Sequence, residues 1–299
     1  MSSIFNVFSL SFPNPRVTSS GHGDDDDDDT KMYQHGIPEI PTDGKVALLK
    51  NSKLKSEVYL IGTVHISKQS AETVKKVINY VKPDVVAVEL CRERAVDIMT
   101  SSLKDDVTLL DMLYGSMMCP WGLSMKIGVF AEGCWDRKLR ANGILQGLEF
   151  KVAIQESSRL GARCVLIDQD CNVTYSKISK VFSWGMLWNS LFADHKDIEY
   201  TRSSVQEMTG LMKKHHPEYT KVLVDERDKF MFEGIRSFEK KVVAVVGMGH
   251  MDGIELLWRQ AEEAENKKPP IPSQERGKGC IHGFIFYLLV CTFCYGLIL

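Results

Sequence analysis

Four short runs of apolar residues stand out along the chain, at 58–63, 84–90, 163–168 and 241–246. Within each run the apolar positions follow one another without alternation. A strand with one wet face alternates, whereas a continuously apolar strand is buried on both faces. The runs therefore predict a sheet sandwiched between helices. Between the first two, Ala71, Val74, Val77, Ile78 and Val81 recur near a period of 3.6, which predicts a helix over 70–81. It stops before Pro83, because the residue preceding a proline avoids the helical region. Residues 149–160 read as a helix closed by Gly161, 221–232 as part of a long charged helix, and 254–265 as the final helix. Strand–helix–strand order over 58–90 favours parallel pairing. The expected fold class is α/β, a mixed, mostly parallel sheet flanked by helices.

The flanks have a different pattern. Residues 1–44 carry six consecutive aspartates, Asp24 to Asp29, which repel one another and cannot bury apolar surface. This segment is expected to be disordered, with docking to a basic partner surface as the alternative. The first residues lack the basic start and long apolar core of a secretory signal. Residues 45–265 form the expected globular domain. Residues 266–279 are a linker rich in Pro, Lys and Arg. The last twenty, CIHGFIFYLLVCTFCYGLIL at 280–299, contain no Asp, Glu, Lys or Arg. Twenty helical residues span about 30 Å, the thickness of a bilayer core. The segment is expected to be a C-terminal transmembrane helix, a tail anchor in a lipid bilayer, with the domain facing the cytosol beside the basic flank. Two further stretches, 109–132 and 181–193, are unusually apolar. They read either as buried helices or as a surface that meets a membrane or partner.

Composition narrows the class. A hydrophobic content of 44% is enough for a real core. The net charge of −2 provides no basic field, so no nucleic-acid partner is expected. None of the eight cysteines forms a paired C-x-x-C zinc set, and those outside the tail read as reduced thiols.

Candidate chemistry sits at the ends of the apolar runs. The first ends in Gly62-Thr63-Val64-His65, the second in Glu89 with Arg94 close behind, the third in Asp168-Gln169-Asp170, and the fourth in Gly247-Met248-Gly249-His250. Ligands of open α/β sheets bind beyond the carboxyl ends of the strands, so parallel neighbours would bring these residues together. Imidazole binds transition metals or accepts a proton near pH 7. Glu89, desolvated, would titrate high and act as acid or base. With Asp168 it would complete a metal shell of His65, His250, Glu89 and Asp168 around a divalent transition metal ion. Metal-free acid–base hydrolysis uses the same residue types. Arg94 would hold a substrate carboxylate or an oxyanion. Asp168 and Asp170 also read as helix caps. Weaker candidates are His215-His216 with Glu218, and Glu226-Arg227-Asp228, either an ion-pair cluster or a group reaching the site.

GTVH at 62–65, VVGMGH at 245–250 and VEL-x-x-x-R at 88–94 together resemble the TraB / pheromone-shutdown (PrgY) family. So do G-x-E-F-x-x-A (Gly147, Glu149, Phe150, Ala153) and ERD at 226–228. The resemblance covers about 45–265. It implies a functional set of His65, Glu89, Arg94 and His250. Distant relatives of that family include Tiki-type membrane metalloproteases and erythromycin esterases. The chain departs from the family at Gln169, where relatives often carry arginine, and at Thr174-Tyr175-Ser176-Lys177. An anchor following such a domain resembles plant TraB-domain proteins of the mitochondrial outer membrane. Two functions are therefore expected as alternatives. One is a membrane-anchored, cytosol-facing hydrolase of metalloprotease or esterase type. The other is a non-catalytic contact-site tether or mitophagy adaptor, with endoplasmic reticulum or autophagy adaptor proteins as partners. The expected location is the mitochondrial outer membrane, with the endoplasmic reticulum as the alternative. A homo-oligomer remains open.

Overall fold

The computed structural model describes residues 33–105, 107–192 and 200–267. The acidic run and the segment 280–299 lie outside the described residues. Among the described residues, no helix is long and apolar enough to cross a membrane. A first compact unit runs to Glu262; of the second, residues 263–267 are described, the end of the last helix and Lys267 after it.

Among the described residues, five strands form one sheet: β1 (Val46–Asn51), β2 (Ser56–Thr63), β3 (Val85–Val88), β4 (Arg163–Leu166) and β5 (Val242–Gly247). Their order is β1-β2-β5-β3-β4. Only β1 pairs antiparallel, with β2; β2–β5, β5–β3 and β3–β4 are parallel. The mixed, mostly parallel sheet is therefore as expected. All six residues of β5 are buried, as befits a central strand. The helices are α1 (Lys68–Val81), α2 (Arg92–Thr100), α3 (Leu109–Met118), α4 (Leu123–Ala141), α5 (Leu148–Leu160), α6 (Cys171–Val181), α7 (Trp184–Phe192), α8 (Arg202–His215), α9 (Pro217–Thr220), α10 (Glu226–Arg236) and α11 (Met248–Asn266), with a π turn at Lys221–Asp225.

Each sheet face has its own core. On one, Val74, Val77 and Ile78 of α1 and Phe150 and Ala153 of α5 pack with Val86, Val88, Val243 and Val245. On the other, Met231 and Ile235 of α10 and Met251, Ile254 and Trp258 of α11 pack with Leu60, Ala87, Ala244 and Val246. A third cluster gathers Met125, Tyr175, Ile178, Met212, Tyr219 and Leu223 from α4, α6, α8, α9 and the π turn.

Several elements differ from the sequence reading. Strand β1 was not anticipated. Strand β4 is shorter than 163–168 and half-exposed, because it is an edge. The charged helix over 221–232 is interrupted by the π turn, and α10 starts at Glu226. Helix α11 starts six residues earlier than 254, directly off β5, so His250 lies in its first turn. Helix α3 is not buried: Leu110, Tyr114, Met117 and Met118 are exposed.

Candidate functional site

Strands β2, β5 and β3 are adjacent and parallel, so their carboxyl ends open on one edge. The Thr63 hydroxyl donates to Val246 O at 3.0 Å and ties two of these ends together. His65 follows β2, Glu89 follows β3, and His250 follows β5. All three line one cavity of about 100 Å³, together with Arg227 and the apolar side chains of Val205, Met208, Met212 and Leu223.

Each histidine rests on a buried carboxylate. His65 Nδ1–H donates to Glu149 Oε1 at 2.5 Å. Glu149, in the first turn of α5, is fully buried, and Phe150 beside it packs against the imidazole ring at 5.2 Å. The backbone supports the same loop: Gly147 N–H donates to His65 O at 3.0 Å. His250 Nδ1–H donates to Asp228 Oδ1 at 2.6 Å. A carboxylate on Nδ1 fixes the tautomer and leaves the Nε2 lone pair for chemistry. Thus two carboxylate–imidazole pairs, built from four separate segments, present Nε2 to one cavity.

Glu89 joins them. Its Oε2 accepts from Gly247 N–H at 2.5 Å, and its Oε1 accepts from Arg227 Nη2. Glycine at position 247 gives room for this approach. A Cβ there would stand 3.0 Å from His65 Nε2 and 3.2 Å from Glu89 Oε2.

The electrostatics correct one expectation. Burial pushes the Glu89 pKa up, but the charges of His250 and Arg227 outweigh it and hold the carboxyl well below its usual range. Glu89 is therefore an ionised anchor, not a group that titrates high. His250 behaves oppositely. Burial pulls its pKa down, as does Arg227, but Glu89 and Asp228 outweigh both and raise it to about 9. Its Nε2 faces Glu89 Oε1 at 3.3 Å and Arg227 Nη1 at 3.0 Å. Protonated, it donates to the glutamate; neutral, it accepts from the arginine. Both states have a partner, which suits a group that gives and regains a proton.

Asp168 and Arg94 do not act where the sequence placed them. Asp168 accepts from Arg94 Nη1 at 3.0 Å and from Arg227 Nε and Nη2, each at 2.9 Å. Its oxygens are spent on two guanidinium groups, so it does not stand as a metal ligand. Arg94 is 1% exposed and lies behind Asp168, off the cavity. There it holds Asp168 through its Nη1 and does not line the cavity. Asp170 caps α6 by accepting from Asn172 N–H at 2.8 Å. His215 and His216 end α8 outside the cavity.

The sequence reading gave no role to Glu149 and read Glu226-Arg227-Asp228 as either an ion-pair cluster or a group reaching the site; Arg227 and Asp228 pair with Glu89, Asp168 and His250 there. The motifs G-x-E-F-x-x-A and ERD contained them but did not say what they touch. Arg227 supplies the guanidinium beside Asp168, where Gln169 cannot. It is held by Leu223 O at 3.1 Å, inside the π turn, a feature that often marks functional sites.

For a metal ion, His65 Nε2, His250 Nε2 and Glu89 are suitable donors in kind. Their arrangement is less suitable, since Arg227 bridges Glu89 and His250 and takes the place a cation would fill. The set does not fit a metal centre with Arg227 in this position.

These features define an α/β protein with a buried histidine–carboxylate–arginine site at the carboxyl edge of its sheet. The sequence profile of the TraB/PrgY/gumN family matches residues 47–118 and 189–267, and the chain belongs to that family. It is 31% identical over 230 residues to an uncharacterised protein of Methanocaldococcus jannaschii, covering 72% of this chain and 57% of that one. It is 29% identical over 241 residues to the TraB domain-containing protein of Bos taurus, covering 68% and 63% of the two chains. With that of Homo sapiens it shares 27% over 275 residues, covering 78% and 72%. The chain thus spans less than two thirds of the archaeal and bovine relatives.

Proposed function

We propose that this chain is a hydrolase of TraB type, anchored to a membrane by residues 280–299 with its globular domain facing the cytosol. The observation that carries the reading is the pair of carboxylate-backed imidazoles facing one cavity. Glu149 holds His65 with Nε2 bare, so that Nε2 takes a proton from water as the water attacks a carbonyl. Arg227 is a fixed buried cation at the cavity wall and offsets negative charge developing on the carbonyl oxygen. His250, protonated at neutral pH, returns a proton to the leaving group. Glu89 holds Arg227 and the Gly247 amide in register. The apolar part of the wall, with Met208, Met212 and Leu223, suits an ester or amide with an apolar acyl side. The mitochondrial outer membrane is the proposed location.

The exposed apolar residues of α3 favour a second reading, an adaptor or tether whose site is unused. One assay separates the two. The full chain in detergent micelles is offered a panel of acyl esters and peptides. Hydrolysis by the wild type that falls at least about 100-fold in His65→Ala supports the enzyme. A panel left untouched by the wild type, or cleaved equally by His65→Ala, supports the tether.

A further inference from the structure

The cavity that holds the two imidazoles has a neighbour. A second cavity of about 240 Å³ lies against it, and Thr63, Val64, Tyr200 and Met248 border both. Val64 immediately precedes His65, and Met248 stands two residues before His250, so the shared wall lies beside both histidines in the chain. That wall is tied down. Val64 N–H donates to Ser70 Oγ at 3.0 Å, Ser67 N–H donates to Val64 O at 2.9 Å, and the Thr63 hydroxyl holds Val246 O. On the opposite side, His35 orders the loop that lines the second cavity at Ile40 and Pro41. Its Nδ1 accepts from Ile37 N–H at 3.2 Å, and its Nε2–H donates to Pro41 O at 3.4 Å.

The two cavities differ in chemistry. Away from its charged groups, the first is walled by Val205, Met208, Met212 and Leu223. The second is lined by Ser67, Gln69, Ser70 and Thr73 from the start of α1. Its charged residues, Asp43 and Lys45, pair with each other at 3.1 Å and bring no net charge to the wall. Among the described residues, no hydrogen bond engages the Gln69 amide or the Thr73 hydroxyl, so both are open to an occupant.

We propose that the second cavity is the leaving-group subsite. The substrates are then esters or amides that join a short apolar acyl group to an uncharged leaving group rich in hydroxyl or amide groups. This rests on the hydrolase reading above. The acyl group fills the first cavity, the scissile carbonyl stands at the shared wall beside His65, and the leaving group crosses Val64 into the second cavity. His65 Nε2 takes a proton from water as the water oxygen bonds to the carbonyl carbon. The bond from that carbon to the leaving oxygen or nitrogen then breaks, and His250 gives its proton to the departing atom. An apolar leaving group would strip water from Ser67, Gln69 and Thr73 and replace none of their hydrogen bonds. A charged one would find Asp43 and Lys45 already spent on each other. A hydroxyl- or amide-bearing group meets partners of its own kind.

The probes are glyceryl monobutyrate and its isostere with methyl groups in place of both free hydroxyls, offered to the full chain in detergent micelles. The acyl group is the same in both, so only the leaving side differs. The wild type is expected to favour the glyceryl ester in kcat/KM by about tenfold or more, because a site built for hydroxyls rejects an analogue that lacks them. Thr73→Leu fills the second cavity and removes a hydroxyl. It is expected to abolish the preference, chiefly by raising KM for the glyceryl ester. Gln69 is exposed, so Gln69→Ala folds and is expected to reduce the preference in the same direction. The proposal alone is overturned if the wild type, while hydrolysing some member of the ester and peptide panel, shows no preference for the glyceryl ester. It is overturned too by a preference that survives both variants, or by a Thr73→Leu chain that is folded and slows both esters equally. A wild type that hydrolyses nothing in the panel overturns the hydrolase reading, and this proposal with it.

Discussion

At the residue scale, the strand-end histidines were legible and the carboxylates behind them were not. A histidine closing an apolar strand after a G-x-x pattern is conspicuous, and His65 and His250 meet as expected. Glu149 and Asp228 are carboxylates in helices with other charges nearby, and such residues ordinarily face solvent. Only the folded chain shows them buried beneath imidazoles. Arg94 misled for a similar reason, because proximity in sequence to Glu89 does not say which side of Asp168 it lies on. Two predictions belong here. Replacing Glu149 by Gln keeps the shape of the pocket but removes the charge that holds Nδ1–H. It is expected to lower kcat by about 10²–10⁴-fold with little change in thermal unfolding. The rate should also fall as pH rises through about 9, because His250 acts in its protonated form and its raised pKa marks where that form is lost. A pH profile of kcat/KM with His250→Gln as control checks this.

At the element scale, periodicity found the parallel strands and the two helices on one face, and it missed elements whose boundaries depend on tertiary contact. Strand β1 was missed because only pairing with β2 makes its sequence a strand. The π turn at Lys221–Asp225 was missed because it lies within an unbroken helical pattern. Its extra residue changes the phase of α10, so that Arg227 and Asp228 are both buried while Lys229 and Phe230 are exposed. Helix α4 holds a group with no role in the site. Glu132 is 3% exposed and its carboxylate oxygens have no hydrogen-bond partner. Burial, with Asp136 adding to it, raises its pKa well above the usual carboxylate range. For an acid with a raised folded pKa, the native state binds the proton more tightly. Its stability is then fullest below the unfolded pKa and declines as pH rises toward the folded one. Glu132→Gln should therefore melt higher than the wild type at pH 8, by about 2–4 °C per kcal/mol relieved, with the gap closing toward pH 4. Equal melting at both pH values would show that Glu132 is not buried as described.

At the scale of the whole molecule, the family profile and the sheet agree on the globular domain, and the ends of the chain are a separate matter. The exposed apolar residues of α3 and the apolar sequence of 280–299 are two candidates for membrane attachment, and they can be told apart. Removing 280–299 is expected to release the chain from alkali-washed membranes. Leu110→Glu with Tyr114→Glu, both on exposed positions of α3, is expected to leave it bound. Reversal of those outcomes would place membrane attachment on α3.

The proposed hydrolysis depends on His65 and His250 being held by carboxylates with Nε2 turned to a common cavity. Long-range proton–nitrogen NMR on the histidine-labelled full chain reads this directly. The Nδ1 proton of His65 should be retained in the wild type and changed by Glu149→Gln, and that of His250 should respond to Asp228→Asn. A His65 found as the Nε2–H tautomer, or one indifferent to Glu149, would contradict the account.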